Sequence, residues 1–149
     1  DYVYQDPNDG NDFTRANEHV VSLNGQFEKG RWGLYADVDY AEGYGSQPNL
    51  VGGQITPSVT FCETWQGVLR YTGIHSDGDN GIRPARYENR IELGRGDEYN
   101  EIYLGLNKYF YGHKLKWQTG IQYADMNDSA ADGGDYDGWG VTTGLRMSW

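Results

Sequence analysis

Residues 115–123 read Leu115-Lys116-Trp117-Gln118-Thr119-Gly120-Ile121-Gln122-Tyr123 and alternate without a break. Leu115, Trp117, Thr119, Ile121 and Tyr123 fall on one side, with Lys116, Gln118, Gly120 and Gln122 on the other. Such a period of two is the signature of a β-strand, whose successive side chains point to opposite faces. Upstream, across a turn at Tyr111-Gly112-His113, Ile102, Leu104, Leu106 and Phe110 oppose Glu101, Tyr103, Gly105, Asn107 and Tyr109. Lys108 interrupts the apolar side close to the short turn, where a lysine can run its amine out along the apolar surface to water.

The same pattern extends in both directions and predicts about seven strands. One runs from about His19 to Phe27, with Val21, Leu23, Gly25 and Phe27 on the apolar side. A tight Glu28–Arg31 turn leads to Trp32, Leu34, Ala36, Val38 and Tyr40, opposed by Gly33, Tyr35, Asp37 and Asp39. Ile55, Pro57, Val59 and Phe61 mark the third strand, and a short turn near Cys62, Glu63 and Thr64 leads to Trp65, Gly67, Leu69 and Tyr71. The last strand carries Trp139, Val141, Thr143, Leu145, Met147 and Trp149 against Gly140, Thr142, Gly144, Arg146 and Ser148. Pro57 sits awkwardly in this scheme, since proline removes a ladder hydrogen bond.

Connections alternate short and long, and the tryptophans lie on the apolar side toward strand ends. Short periplasmic turns, long external loops and two aromatic belts are how a transmembrane β-barrel meets a bilayer. The expected fold is therefore an all-β antiparallel transmembrane barrel of a Gram-negative outer membrane. A soluble β-sandwich shares the alternation but not the banding.

Composition agrees. The 149 residues include 22 Gly, 13 Tyr and 5 Trp, and carry a formal net charge of -10. No stretch approaches the roughly 18 apolar residues of a membrane-spanning helix. Barrel strands need none, because alternation keeps their mean hydropathy low. The acidic balance argues against a nucleic-acid partner. Cys62 is the single cysteine, which excludes an internal disulfide.

The final residues, Thr142-Thr143-Gly144-Leu145-Arg146-Met147-Ser148-Trp149, look like the C-terminal signal that barrels present to their assembly machinery. Gly144, Met147 and Trp149 occupy its constrained positions. This orients the chain: the short turns are periplasmic and the long loops external. Seven strands do not close a bacterial barrel, which takes an even number. Either Tyr2-Val3-Tyr4 ends a truncated strand or further strands are missing; the expectation is a fragment, residues 1–149 being the C-terminal portion of a larger barrel.

The stretch from Tyr99 to Met126 resembles the porin O/P family, the phosphate- and polyphosphate-selective porins. Leu104-Gly105-Leu106-Asn107, Tyr111-Gly112-His113-Lys114-Leu115-Lys116 and Gln118-Thr119-Gly120-Ile121-Gln122-Tyr123 carry the likeness. Trp65–Tyr71 and the Ser76–Gly81 loop are similar to that family too. The resemblance implies a sixteen-stranded homotrimer, of which this chain supplies rather less than half. It also implies passive diffusion of small hydrophilic solutes or ions, with a preference for anions or phosphate. Expected surroundings are outer-membrane lipid and lipopolysaccharide, the barrel assembly machinery, and the solutes themselves. The alternative is a small eight-stranded structural or adhesive barrel with a filled interior.

The candidate pore-lining residues are Asp37, Asp39, Arg70, Lys114, Lys116 and Arg146. Lys114, Lys116 and Arg146 gather cations toward the periplasmic end, while Arg70 lies mid-strand; charges on a wet inner wall bias the ions that pass. Acidic loops, with Asp77 and Asp79, with Asp6, Asp9 and Asp12, and with Asp132, Asp135 and Asp137, lack the closing bidentate glutamate of a calcium loop. His19, His75 and His113 are scattered without metal-ligand spacing, and no Gly-x-Ser-x-Gly elbow is present. No metal, cofactor or enzymatic activity is expected.

Overall fold

A computed structural model describes residues 1–8, 16–83 and 94–148. These described residues fold into eight antiparallel strands: β1 (Tyr2–Tyr4), β2 (Asn17–Lys29), β3 (Trp32–Gly43), β4 (Leu50–Cys62), β5 (Trp65–Ser76), β6 (Glu98–Tyr111), β7 (Leu115–Asn127) and β8 (Tyr136–Met147). They form one sheet in chain order, β1 to β8, each strand paired with the next. This is the all-β antiparallel architecture that the alternation predicts. The sheet is open: β1 and β8 are its two edges.

The described residues form eight strands rather than seven. Tyr2, Val3 and Tyr4 pair with Val21, Val20 and His19, so the segment left open by the sequence is a paired strand. The strands are also longer than their clear alternation at the long-loop end. β3 runs on through Ala41–Gly43, β4 starts at Leu50, and β5 continues to Ser76. Small, polar and glycine residues blur the hydrophobic pattern there, and pairing with the neighbour keeps the chain extended.

The short connections stand where expected. Lys29 pairs with Trp32, leaving a two-residue Gly30-Arg31 loop, and Gly30 takes a positive φ of 61° that suits glycine. Cys62 pairs with Trp65 across Glu63-Thr64. Pro57 is accommodated by a local break. It pairs with Leu34 of β3, but the β4–β5 ladder skips Thr56 and Pro57 between Ile55 and Ser58. The missing N–H thus costs ladder bonds on one side only.

The register gathers the alternating apolar residues on one face, while Leu50, Val68 and Ile74 fall on the polar one. Phe27 opposes Leu34, Ala36 opposes Ile55, and Leu104 lies between Leu69 and Ile121. That face is uncovered: Leu23 and Val141 are each 76% exposed and Trp139 is 72% exposed. Among the described residues the buried apolar ones are Ile82, Ala124 and Met126. These lie beneath the loops, where Ile82 and Gly96 exchange backbone hydrogen bonds and bring the two ends of the β5–β6 connection together. One face of the sheet thus exposes a large apolar surface, and the other carries most of the polar side chains and the hollows among them.

Candidate functional site: the polar face

At mid-strand, Arg70 of β5 pairs in the ladder with Tyr103 of β6. Its guanidinium stands 5.1 Å from the Tyr103 ring centre and donates to Glu101 Oε1 at 2.7 Å. Tyr99 donates its hydroxyl to Glu101 Oε2 at 3.0 Å. Tyr103 lies across Gly105 and Gly120, which oppose one another on β6 and β7; a Cβ at either position would meet the ring. Two glycines thus let an aromatic ring lie flat on the sheet and support the arginine. Sequence reading placed Arg70 on the wet face but gave no role to Glu101, which balances its charge.

Toward the short turns a chain of amides crosses four strands. Gln66 Oε1 accepts from Asn107 Nδ2 at 2.9 Å and from the Tyr109 hydroxyl at 2.8 Å. Asn107 Oδ1 in turn accepts from Gln118 Nε2 at 3.0 Å, and Gln66 Nε2 reaches Ser58 Oγ at 3.5 Å. The neighbouring hollow of about 370 Å³ is lined by Glu28, Ser58, Thr60, Gln66, Tyr109 and His113, among others.

The predicted cation group stands beside this network. Lys116 and Arg146 oppose each other directly on β7 and β8, and the Lys116 amine lies 5.9 Å from the Tyr109 ring centre. Lys114 belongs to the β6–β7 turn rather than to a strand. Its N–H donates to Tyr111 O, and its carbonyl accepts from Ser148 N at 2.8 Å. Gly144 and Met147 lie within β8, Met147 exposed on the apolar side. Trp149, like Asp9 and Asp12, lies outside the described residues.

Toward the long loops, Asp37 accepts from both the backbone N–H (3.1 Å) and the side-chain amide (2.8 Å) of Gln54. Asp37 and Asp39 line a second hollow of about 370 Å³ with Gly52, Thr72 and Ile74. Above it, a cavity of about 530 Å³ opens between the loops, lined by Gln47, Leu50, Ile74, Arg83 and Arg95, among others. Sequence reading singled out neither arginine, because loop charges carry no periodicity.

The acidic loops use their carboxylates to hold one another. Asp77 accepts from the backbone and side chain of Asn49 at 2.9 and 2.7 Å, and Asp132 accepts from Asn80 at 2.8 Å. Asp128 Oδ2 accepts from the backbone N–H groups of Asp132, Gly133 and Gly134, and Oδ1 from that of Ala130. The bond from Gly134, with those from the other three, holds this carboxyl below its usual range, against an opposing effect of burial. Among the described residues no group of three or more His, Cys, Asp or Glu side chains is placed to hold a metal ion.

On the opposite, apolar face Lys108 extends its amine over the Trp65 ring at 4.6 Å and donates to Thr64 Oγ1 at 2.8 Å. Its charge is thereby carried back to the short turn. Among the described residues no helix is long and apolar enough to cross a membrane, which says nothing about strands. No protein-family model, curated protein or solved structure matches the chain.

Proposed function

We propose that this chain forms part of the wall of a bacterial outer-membrane porin that passes small hydrophilic solutes or ions by diffusion, with a bias toward anions. The observation that carries this reading is the inverted amphipathicity of the sheet: exposed Leu23, Leu104, Val141 and Trp139 on one side, and a hydrogen-bonded lining of glutamines, asparagines and charges on the other. Lipid on the first face and water on the second satisfy both, as in other strand-built membrane proteins. All backbone donors at membrane depth must be paired, so the free edges of β1 and β8 call for further strands. The likeness of residues 99–126 to phosphate-selective porins supports a trimeric barrel of that kind, with Lys114, Lys116 and Arg146 biasing the periplasmic end toward anions.

Eight strands in up-and-down order favour one other reading, a small closed barrel with a structural or adhesive role. Its seam would rest on β1, which has three residues. The test is current through the intact protein in planar bilayers under a salt gradient. Discrete steps with an anion-directed reversal potential, weakened in K116Q/R146Q, are expected. A folded, inserted barrel that passes no current overturns the porin reading and leaves the small barrel.

A further inference from the structure

The geometry points to Glu101 as the residue that sets ionic selectivity at the middle of the polar face, by cancelling the charge of Arg70. This assignment rests on the pore reading above and goes beyond it. Arg70 by itself would mark an anion site: a guanidinium laid over the Tyr103 ring at 5.1 Å, held where its strand is midway between turn and loop. Glu101 converts that site into a neutral one. Its Oε1 lies 2.7 Å from Arg70 Nη2, and its side chain is 11% exposed.

Three features make this a built arrangement rather than a passing surface pair. Tyr99 fixes the second carboxylate oxygen at 3.0 Å. Tyr103 is seated over Gly105 and Gly120, so the arginine is supported from beneath. Arg70 Nε is enclosed away from solvent, so the guanidinium is sunk into this seat rather than free on the surface. A partly exposed pair gains little stability from its attraction; its larger consequence is for the field along the lining. A unit charge in water, about 6 Å from a passing ion, weights that ion's local concentration by about threefold.

The measurement is the anion-to-cation permeability ratio of the intact protein, from reversal potentials under a potassium chloride gradient. Glu101→Gln keeps the size of the side chain and its acceptor oxygen but removes the charge; with anions enriched and cations depleted by about threefold each, the ratio should rise by about tenfold. Arg70→Gln should lower it by a similar factor. The R70Q/E101Q double variant should return to the wild-type value; opposite shifts in the single variants that cancel in the double are a pattern a merely structural pair would not produce. Folding is checked for each by the heat-dependent gel mobility of the barrel. If E101Q fails to assemble, the contrast between R70Q and the double variant carries the same test. Folded, conducting single variants with an unchanged ratio would overturn the assignment. A wild-type barrel that inserts and passes no current overturns the pore reading instead, and this assignment with it.

Discussion

Replacing Leu104 by arginine should cost about 2–4 kcal/mol of folding stability in a bilayer, while the same change at Phe110 should cost about 0–1 kcal/mol. Both residues are exposed on the apolar face of β6. Leu104 stands near the middle of this 14-residue strand, and Phe110 is its penultimate residue. Six residues at about 3.4 Å each separate them by roughly 20 Å along the strand. With a strand tilt near ~40°, that is about 16 Å along the membrane normal, against an apolar band about 25 Å tall. An arginine at Leu104, between Leu69 and Ile121, has no nearby water to reach. At Phe110 it can turn to the interface. The assay is urea-dependent folding of the intact protein into lipid vesicles, followed by tryptophan fluorescence and gel mobility. Asn24→Arg on the polar face serves as the control and should fold like wild type. Equal penalties at Leu104 and Phe110 would refute the reasoning, because a face packed on protein has no depth gradient.

Other expectations concern the loops and the mid-strand seat. Asp128→Ala should speed hydrogen exchange at the amides of Ala130, Asp132, Gly133 and Gly134, all of which donate to this carboxylate. The pKa of Asp128 is depressed below its ordinary 3.8 in the folded loop. Its contribution is therefore fully present above that value and is lost as pH falls through the lower folded value. Exchange protection corrected for intrinsic rates should stay level from neutral pH to about 5 and decline in stronger acid. Gly120→Ala should cost about 1–3 kcal/mol, since the new methyl runs into the Tyr103 ring. Gly25→Ala, with open space around it, should cost almost nothing in the same unfolding assay.

Much of this protein is legible along the chain. Period-two alternation assigns Leu104, Ile121 and Val141 to one face and Gln118, Asn107 and Arg146 to the other, because a strand turns each successive side chain by half a revolution. Gly30 and Gly112 announce their short turns through the positive φ that glycine permits. Strand ends were less legible. Ala41–Gly43, Leu50–Gly53 and Gly73–Ser76 have little hydrophobic contrast, and they stay extended because a neighbouring strand pairs with them.

Register belongs to the tertiary structure alone. Sliding one strand by two residues leaves its alternation unchanged, so no pattern within β5 or β6 sets Arg70 beside Tyr103 and within reach of Glu101. Only the assembled ladder does so, and with it the charge of the mid-strand lining changes from a lone cation to a neutral pair. The loops follow the same logic. Asn49 meets Asp77 across 28 residues and Asn80 meets Asp132 across 52. Those partners find each other because the strands beneath them have already fixed where each loop begins. The sequence by itself determined which face each residue occupies; the folded sheet decided which residues share a place on it, since period is a local property of the backbone and register is a property of the whole ladder.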